Sequence, residues 1–299
     1  MYQKMCPIFS KSKIHNHNDS FFQYVTNSCY FYEKFNNPTV ILHFYKYHGT
    51  GNDFIMLDSR DNWFPALSNK LISSLCDRRF GIGADGLVLI RPNSRFDFTM
   101  IYYNSDGHEG TMCGNAGRCA LAIAKKIGLI SDHGKFESSD GIHEGWIQED
   151  IIRLTMQPVN KVKFFGDHYE LNTGSPHYVK FVKNIEKTDV KHRGASIRYS
   201  GDYGKKGINV NFVSFYKDGI FVRTYERGVE DETLSCGTGM VASAICAAIK
   251  SKTDKNSFII YTRGGKLLIS FQISGKQLFE NIILEGPASF VFEGNIKID

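Results

Sequence analysis

The sequence predicts an α/β protein built as two similar halves that face each other, each with one helix wrapped by strands. Three observations predict it. TMCGNAGRC (111–119) and LSCGTGMVASAICAA (234–248) each place a cysteine, Cys113 or Cys236, at a Cys-Gly-polar junction opening into small residues. The two cysteines stand 123 residues apart, close to half the chain counted from residue 42. In both places an apolar strand pattern (FTMIYY, IFVRTY) runs through an acidic, glycine-containing loop (NSDGHEG, ERGVEDE) into Cys-Gly and then a helix.

Residues 1–41, rich in Asn, Phe and Tyr, show no sustained period and are read as a poorly ordered extension. They lack the apolar core of a secretory signal and the Arg-rich character of a transit peptide. The folded unit begins near HFYKYHGTGNDFIMLD (43–58), a strand, a glycine-rich turn and a second strand. LSNKLISSLCDRR (67–79) carries apolar residues at 67, 71, 72 and 75, which is helical spacing. LVLIRP and FTMIYYN read as strands. A helix is expected over Ala116–Ile127, with Gly128 as its stop. VKFFGDHYELN, PHYVKFV, GINVNFVSFY and GIFVRTYE follow as strands, then a helix from about Gly239 to Ile249, then the strands SFIIYTR, KLLISFQI and ASFVFEG.

Composition narrows the function. The net charge of +5 includes +2 from the first 41 residues, and no basic run remains that would track phosphates, which argues against nucleic acid. No stretch reaches the ~18 apolar residues of a membrane span. Seven cysteines, an odd number, without a secretory signal, point to a reducing compartment and hence the cytoplasm. There is no Cys-x-x-Cys and no histidine pair at zinc-finger spacing, so no metal is expected. Cys76, Cys119 and Cys246 read as small buried hydrophobes. GIGADG (81–86) fits a dinucleotide fingerprint literally, but a helix precedes it and a strand follows, the inverse of the order that seats a phosphate. It reads as a tight helix-to-strand turn.

A thiol at a helix start feels unpaired N–H groups and the positive end of the dipole, which favour thiolate. The same N–H groups can hold a carboxylate. Gly114 and Gly237 allow close backbone approach, and Asn115 and Thr238 offer short polar side chains. Two such constructs facing one cavity suit removal of a proton α to a carboxylate and its return on the opposite face, with charge developing where both helix starts point. No cofactor is needed for that chemistry. Spacing alone leaves other readings open: a disulfide or unrelated core thiols, or a thiol nucleophile with His177 as its base.

The surrounding motifs resemble one family. HGTGNDF (48–54), CDRRFGIGADG (76–86), YNSDGHEGTMCGNAGRCA (103–120), NTGSPHYV (172–179), INVNF (208–212) and YERGVEDETLSCGTG (225–239) are similar, in order, to those of the diaminopimelate epimerases. The resemblance covers residues 42–299. It implies two pseudo-symmetric halves, 42–157 completed by the final strand 288–299, and 158–287, each a mainly antiparallel sheet around a central helix with the active site in the cleft between. It implies cofactor-independent interconversion of LL- and meso-diaminopimelate, which feeds lysine and peptidoglycan synthesis, in a cytoplasmic homodimer.

Carried over by motif, Cys113 and Cys236 are the catalytic thiols. Asn52, Asn104 and Asn209 match substrate-binding asparagines. Gly114–Asn115 and Gly237–Thr238 match the backbone donors to the reacting carboxylate. Glu226 and Arg227 match a pair that meets the substrate's amino and carboxylate groups. His177 matches a histidine that adjusts the thiols, a role Glu226 shares. The chain departs from the pattern in three places. Gly86 stands where some members carry Gln, and Ser175, also a substrate contact, where some carry Asn. The loop GVEDETLSC is one residue longer than the shortest family version. Rival readings are a proline or hydroxyproline racemase, which shows Cys-Gly-His at the first cysteine; a phenazine-type isomerase, which lacks the two cysteines; a nucleotide-dependent enzyme; and a non-catalytic thiol switch in which oxidation joins Cys113 to Cys236.

Overall fold

A computed structural model describes residues 40–61, 63–275 and 277–298; the extension expected over 1–41 lies, except for its last two residues, outside them. Leu42–Ile296 forms one compact unit. β1 (Val40–Gly49) turns at Thr50–Gly51 into β2 (Asn52–Asp58), with Gly51 at φ 85, a conformation open to glycine. α1 (Asn69–Cys76) leads to β3 (Gly86–Arg91), parallel to β2, and β4 (Phe98–Asn104) returns antiparallel. α2 (Gly114–Lys126) leads to β5 (His133–Ser138), parallel to β4, and an antiparallel meander continues through β6 (Gly141–Gln148) and β7 (Ile151–Met156).

The chain then lays down the same order again. After β8 (Val162–Phe164) and β9 (Tyr169–Asn172) comes β10 (Pro176–Phe181), antiparallel to β9. α3 (Val190–Arg198) leads to β11 (Asn209–Tyr216), parallel to β10, and β12 (Gly219–Glu226) returns antiparallel. A short β13 (Asp231–Thr233) folds back on β12. α4 (Gly237–Ser251) leads to β14 (Ser257–Thr262), parallel to β12, and the meander continues through β15 (Gly265–Ile273) and β16 (Phe279–Pro287). Antiparallel, parallel, antiparallel, parallel, antiparallel, antiparallel is the sequence of pairings in both runs. β16 pairs antiparallel with β7, which joins the runs into one continuous sheet, and β17 (Ser289–Ile298) pairs with β1.

α2 and α4 are the central helices. α4 is buried without a break from Gly237 to Ala248, which its alanines permit by presenting little bulk on any side. Around both helices one apolar core takes in Phe98, Phe136 and Leu154 from the first run, and Val222, Ile260 and Leu284 from the second. Cys119 and Cys246 are buried in it, and Cys76 is buried at the end of α1, as expected. Among the described residues, no helix is long and apolar enough to cross a membrane.

Three regions differ from the sequence expectation. β5–β7 did not show as strands because their inward positions are filled by Gly134, His143 and Gly145 as well as by Phe136, Ile147 and Ile152, which hides the alternation. α3 buries Val190, Gly194 and Arg198, so its inner face carries only one apolar side chain. A Cβ on Gly194 would collide with the Tyr225 ring, which is why a glycine sits mid-helix. VKFFGDHYELN is a hairpin of two strands.

Candidate active site

Both central helices begin two residues earlier than their periodicity indicates. Glycine is a poor helix former, so Gly114 and Gly237 read as turn. In the structure they are the first helical residues, and Cys113 (φ −113, ψ 118) and Cys236 (φ −121, ψ 107) are extended N-cap residues. Neither cysteine caps its helix through its side chain. The leading N–H groups are therefore unclaimed, and each thiol stands at the positive end of a dipole.

The two starts meet. A Cβ on Gly237 would lie 2.9 Å from the Gly114 Cα and 3.1 Å from its nitrogen; one on Gly114 would lie 2.5 Å from Leu284 Cδ2. The absence of a side chain at Gly237 is what lets the two helix starts reach one place. A cavity of about 280 Å³ opens there, lined by both thiols, Gly237 and Thr238. Tyr102, Asn104 and Glu109 contribute from one side; Ser175, Asn209, Glu226 and Arg227 from the other. Arg198, Lys206 and Glu230 also line it, giving the cavity both signs of charge.

Asn104 ends β4 and Glu226 ends β12, so the pairing of β3–β4 and of β11–β12 positions them. Burial pushes the Glu226 carboxyl up to about 7, against a hydrogen bond from Thr233 Oγ1 at 2.8 Å. Burial pushes the Cys113 thiol up to about 12, reinforced by Glu226 and opposed by the amides of Ala116 and Asn115. Cys236 is driven well above the ordinary thiol range by burial, then by Glu226 and Cys113, against Gly239 N–H and Thr238. One carboxyl thus acts on both thiols, and the thiols act on each other, so the three titrate together.

Asn209 is held in orientation from two sides. Its Nδ2 donates to Ser175 Oγ at 2.8 Å, and its Oδ1 accepts the Arg227 amide at 2.9 Å. Arg227 Nη2 in turn reaches Ser175 Oγ at 3.4 Å. Asn52, Gly114, Asn115 and His177 stand behind the cavity wall. Asn52 donates to Asp85 Oδ2 at 2.8 Å and accepts from Asn115 Nδ2 at 3.1 Å. Asn115, fully buried, also donates to the Ser235 carbonyl at 3.0 Å and so ties the start of α2 to the approach to α4. His177 is fully buried between Asn211 and Thr238, and burial pushes it down to about 3, which keeps the ring neutral.

The GIGADG turn runs from α1 into β3, as the inverted order required. It carries Asp85, which with Asp53, Lys46 and Arg78 forms an ion-pair cluster beneath Asn52. A side chain at Gly86 would lie 2.5 Å from the Tyr103 carbonyl and 2.6 Å from the Tyr102 ring, so Tyr102 occupies that part of the wall.

Sequence reasoning passed over Asn211, Asp85 and Arg118. Asn211 lies two residues from Asn209 on the same face of β11, a period-two signal inside INVNF. Arg118 is fully buried on α2, donating to Gly114 O, Asn115 Oδ1 and Pro287 O, and burial pushes it down to about 10. Among the described residues it has no carboxylate partner, and the charged-group neighbours that act on it are the thiols Cys119 and Cys113. No group of three or more His, Cys, Asp or Glu among the described residues is placed to hold a metal.

A mixed sheet wound round two central helices, with one cavity where the helices start, defines an isomerase of the epimerase class. Solved structures share the fold: a phenazine biosynthesis protein of the PhzF family from Bacillus anthracis (TM-score 0.67, 14% identity, 87% of this chain and 100% of that one) and a hydroxyproline epimerase from Agrobacterium vitis (TM-score 0.64, 14% identity, 87% and 93%). The family model described as diaminopimelate epimerase matches residues 44–162 and 169–291. The diaminopimelate epimerase of Flavobacterium psychrophilum is 53% identical over 254 residues, spanning 84% of this chain and 99% of the relative. That of Chlorobaculum tepidum is 38% identical over 260 residues, with 84% and 99% covered. The chain belongs to the diaminopimelate epimerase family.

Proposed function

We propose that the protein epimerises LL-2,6-diaminopimelate to meso-diaminopimelate, with Cys113 and Cys236 as the two bases. The observation that carries the reading is the meeting of two thiol-bearing helix starts, glycine on glycine, at one cavity. The α-carbon lies between the thiols and its carboxylate takes the free N–H groups of both helices. One cysteine, as thiolate, takes the α-proton; electron density moves onto the carboxylate, where two dipoles stabilise it; the other cysteine, as thiol, delivers its proton to the opposite face. Each turnover leaves the enzyme with its proton exchanged between thiols, and no cofactor takes part.

Glu226 meets the reacting amino group and exchanges protons with the thiols. Arg227, Asn104, Asn209 and Ser175 hold the distal amino-acid end, whose two charges suit a wall of both signs. Asn52, Asn115 and His177 keep the thiols and helix starts in place. The active site falls between halves 42–157, completed by 288–299, and 158–287. We place the enzyme in the cytoplasm, as a homodimer, supplying lysine and peptidoglycan precursors.

The test uses LL-diaminopimelate in deuterated water under reductant. Wild type exchanges the α-proton and forms the meso isomer; Cys113→Ala and Cys236→Ala form none. A freshly reduced wild type that exchanges nothing overturns the substrate, and a Cys→Ala variant that still epimerises overturns the two-thiol mechanism.

A further inference from the structure

The hydrogen bonds behind the two thiols run in opposite directions, and each direction is fixed by an anchor that can only accept. At Cys113 the anchor is the Asp85 carboxylate. Asn52 must turn its NH₂ to Asp85 Oδ2 (2.8 Å), so its carbonyl oxygen faces Cys113 Sγ at 3.7 Å. That oxygen also accepts from Asn115, which holds it there. An oxygen lone pair welcomes an S–H and repels a thiolate.

At Cys236 the anchor is the Tyr178 carbonyl. Asn211 must turn its NH₂ to it (3.1 Å), and Thr224 Oγ1 donates to the other end of the amide at 2.9 Å. The second proton of that NH₂ points at His177 Nδ1, 3.1 Å away, which must therefore accept. A neutral imidazole then carries its proton on Nε2, facing Thr238 Oγ1 at 3.0 Å. With its oxygen accepting, the Thr238 hydroxyl is left to donate, and Cys236 Sγ lies 3.7 Å away. His177 has no free lone pair and is no base.

Resting on the two-thiol reading above, we propose that the free protein holds Cys236 as the thiolate and Cys113 as the thiol, and that Asn211 and Asp85 are the positioning residues that set this order. Glu226 faces both thiols, Arg118, Tyr102 and Cys119 lie against Cys113, and the thiols face each other. Burial raises both thiols, so it does not by itself set their order. The geometry separates them: the Thr238 hydroxyl that donates to Cys236 favours its thiolate, and the Asn52 oxygen that accepts from Cys113 favours its thiol.

The experiment is alkylation of the full chain by iodoacetamide across pH without substrate, with each thiol followed on its own peptide by mass spectrometry. Access changes the plateau rate; ionisation sets the midpoint. Cys236 is expected to show a midpoint about one unit or more below that of Cys113, a tenfold difference in ionisation. Thr238→Val removes the donor and raises the Cys236 midpoint by about one unit while leaving that of Cys113 in place; Thr238→Ser restores it. Asn211→Asp, which accepts from Nδ1 and moves the ring proton off Nε2, acts as Thr238→Val does. Asp85→Asn lowers the Cys113 midpoint instead. A wild type in which Cys113 has the lower midpoint overturns the proposal, as does a Cys236 midpoint unmoved in Thr238→Val. These readings need no turnover, so they stand apart from the deuterium test of the two-thiol mechanism.

Discussion

The two runs of the chain share a plan and differ where it matters. Each strings the same six pairings, sends a short helix between its first pair of parallel strands, and sends a central helix that follows Cys-Gly between its second. Position by position at the site the residues diverge. Asn104 closes β4 where Glu226 closes β12. Two residues past the thiols, Asn115 braces the opposite loop while Thr238 turns its hydroxyl to Cys236. Five residues past, Arg118 is a buried cation where Val241 is plain core. Backbone symmetry brings two equivalent thiols to one cavity, and side-chain asymmetry makes them chemically unequal. A reaction with mirror-related faces therefore runs in a site that has no true mirror.

Breaking the comparison at its chemistry has the largest effect. Cys113→Ser and Cys236→Ser are each expected to lower kcat at least about 10³-fold, because an alcohol is far too weak an acid to replace a thiol. Turnover measured in both directions checks this, and a loss confined to one direction would show that only one thiol is needed. Next come the glycines. Gly237→Ala forces a methyl against the Gly114 backbone and is expected to cost about 1–3 kcal/mol along with most activity. Gly114→Ala meets only the end of Leu284, which can swing aside, so its denaturation midpoint falls less.

A smaller effect sharpens the Asn104–Glu226 difference. Glu226 has its pKa raised in the fold, so its contribution to stability is present below the unfolded carboxyl range and lost as pH rises through about 7. Denaturant unfolding of the substrate-free protein is expected to show this loss between pH 5 and 8 in wild type, and Glu226→Gln to flatten it. His177 has the opposite sign. Its pKa is lowered to about 3, so its contribution is complete above the ordinary imidazole range and drains away as pH falls toward 3. His177→Gln is expected to unfold at a lower pH midpoint than wild type under acid titration, the smallest change of the set, and an unchanged acid limb would count against a neutral buried ring.

Much of this was legible in the sequence because it is written in spacing. Cys113 and Cys236 sit at helix starts, GIGADG has its order inverted, and paired strand–loop–helix patterns announce the duplication. What was not legible is the work done by burial. α3 hides because Gly194 makes room for Tyr225 and Arg198 takes a place an apolar residue would mark. The duplication itself could have located it, since α1 occupies the matching place between β2 and β3. Asn211 and Asp85 do not line the cavity and hydrogen-bond to residues behind its wall, Asn52 and His177, so no motif distinguishes them from turn or strand residues.

Among the described residues, Glu226 is the one acid that acts on both thiols. If the thiols are unequal at rest, each reaction leaves the protein in its less favoured form, with the proton on the wrong sulfur, and the next substrate of the same hand finds an enzyme facing the other way. The carboxyl, half-protonated near neutrality, offers the route by which that proton returns. Recovery between turnovers then becomes a step in its own right.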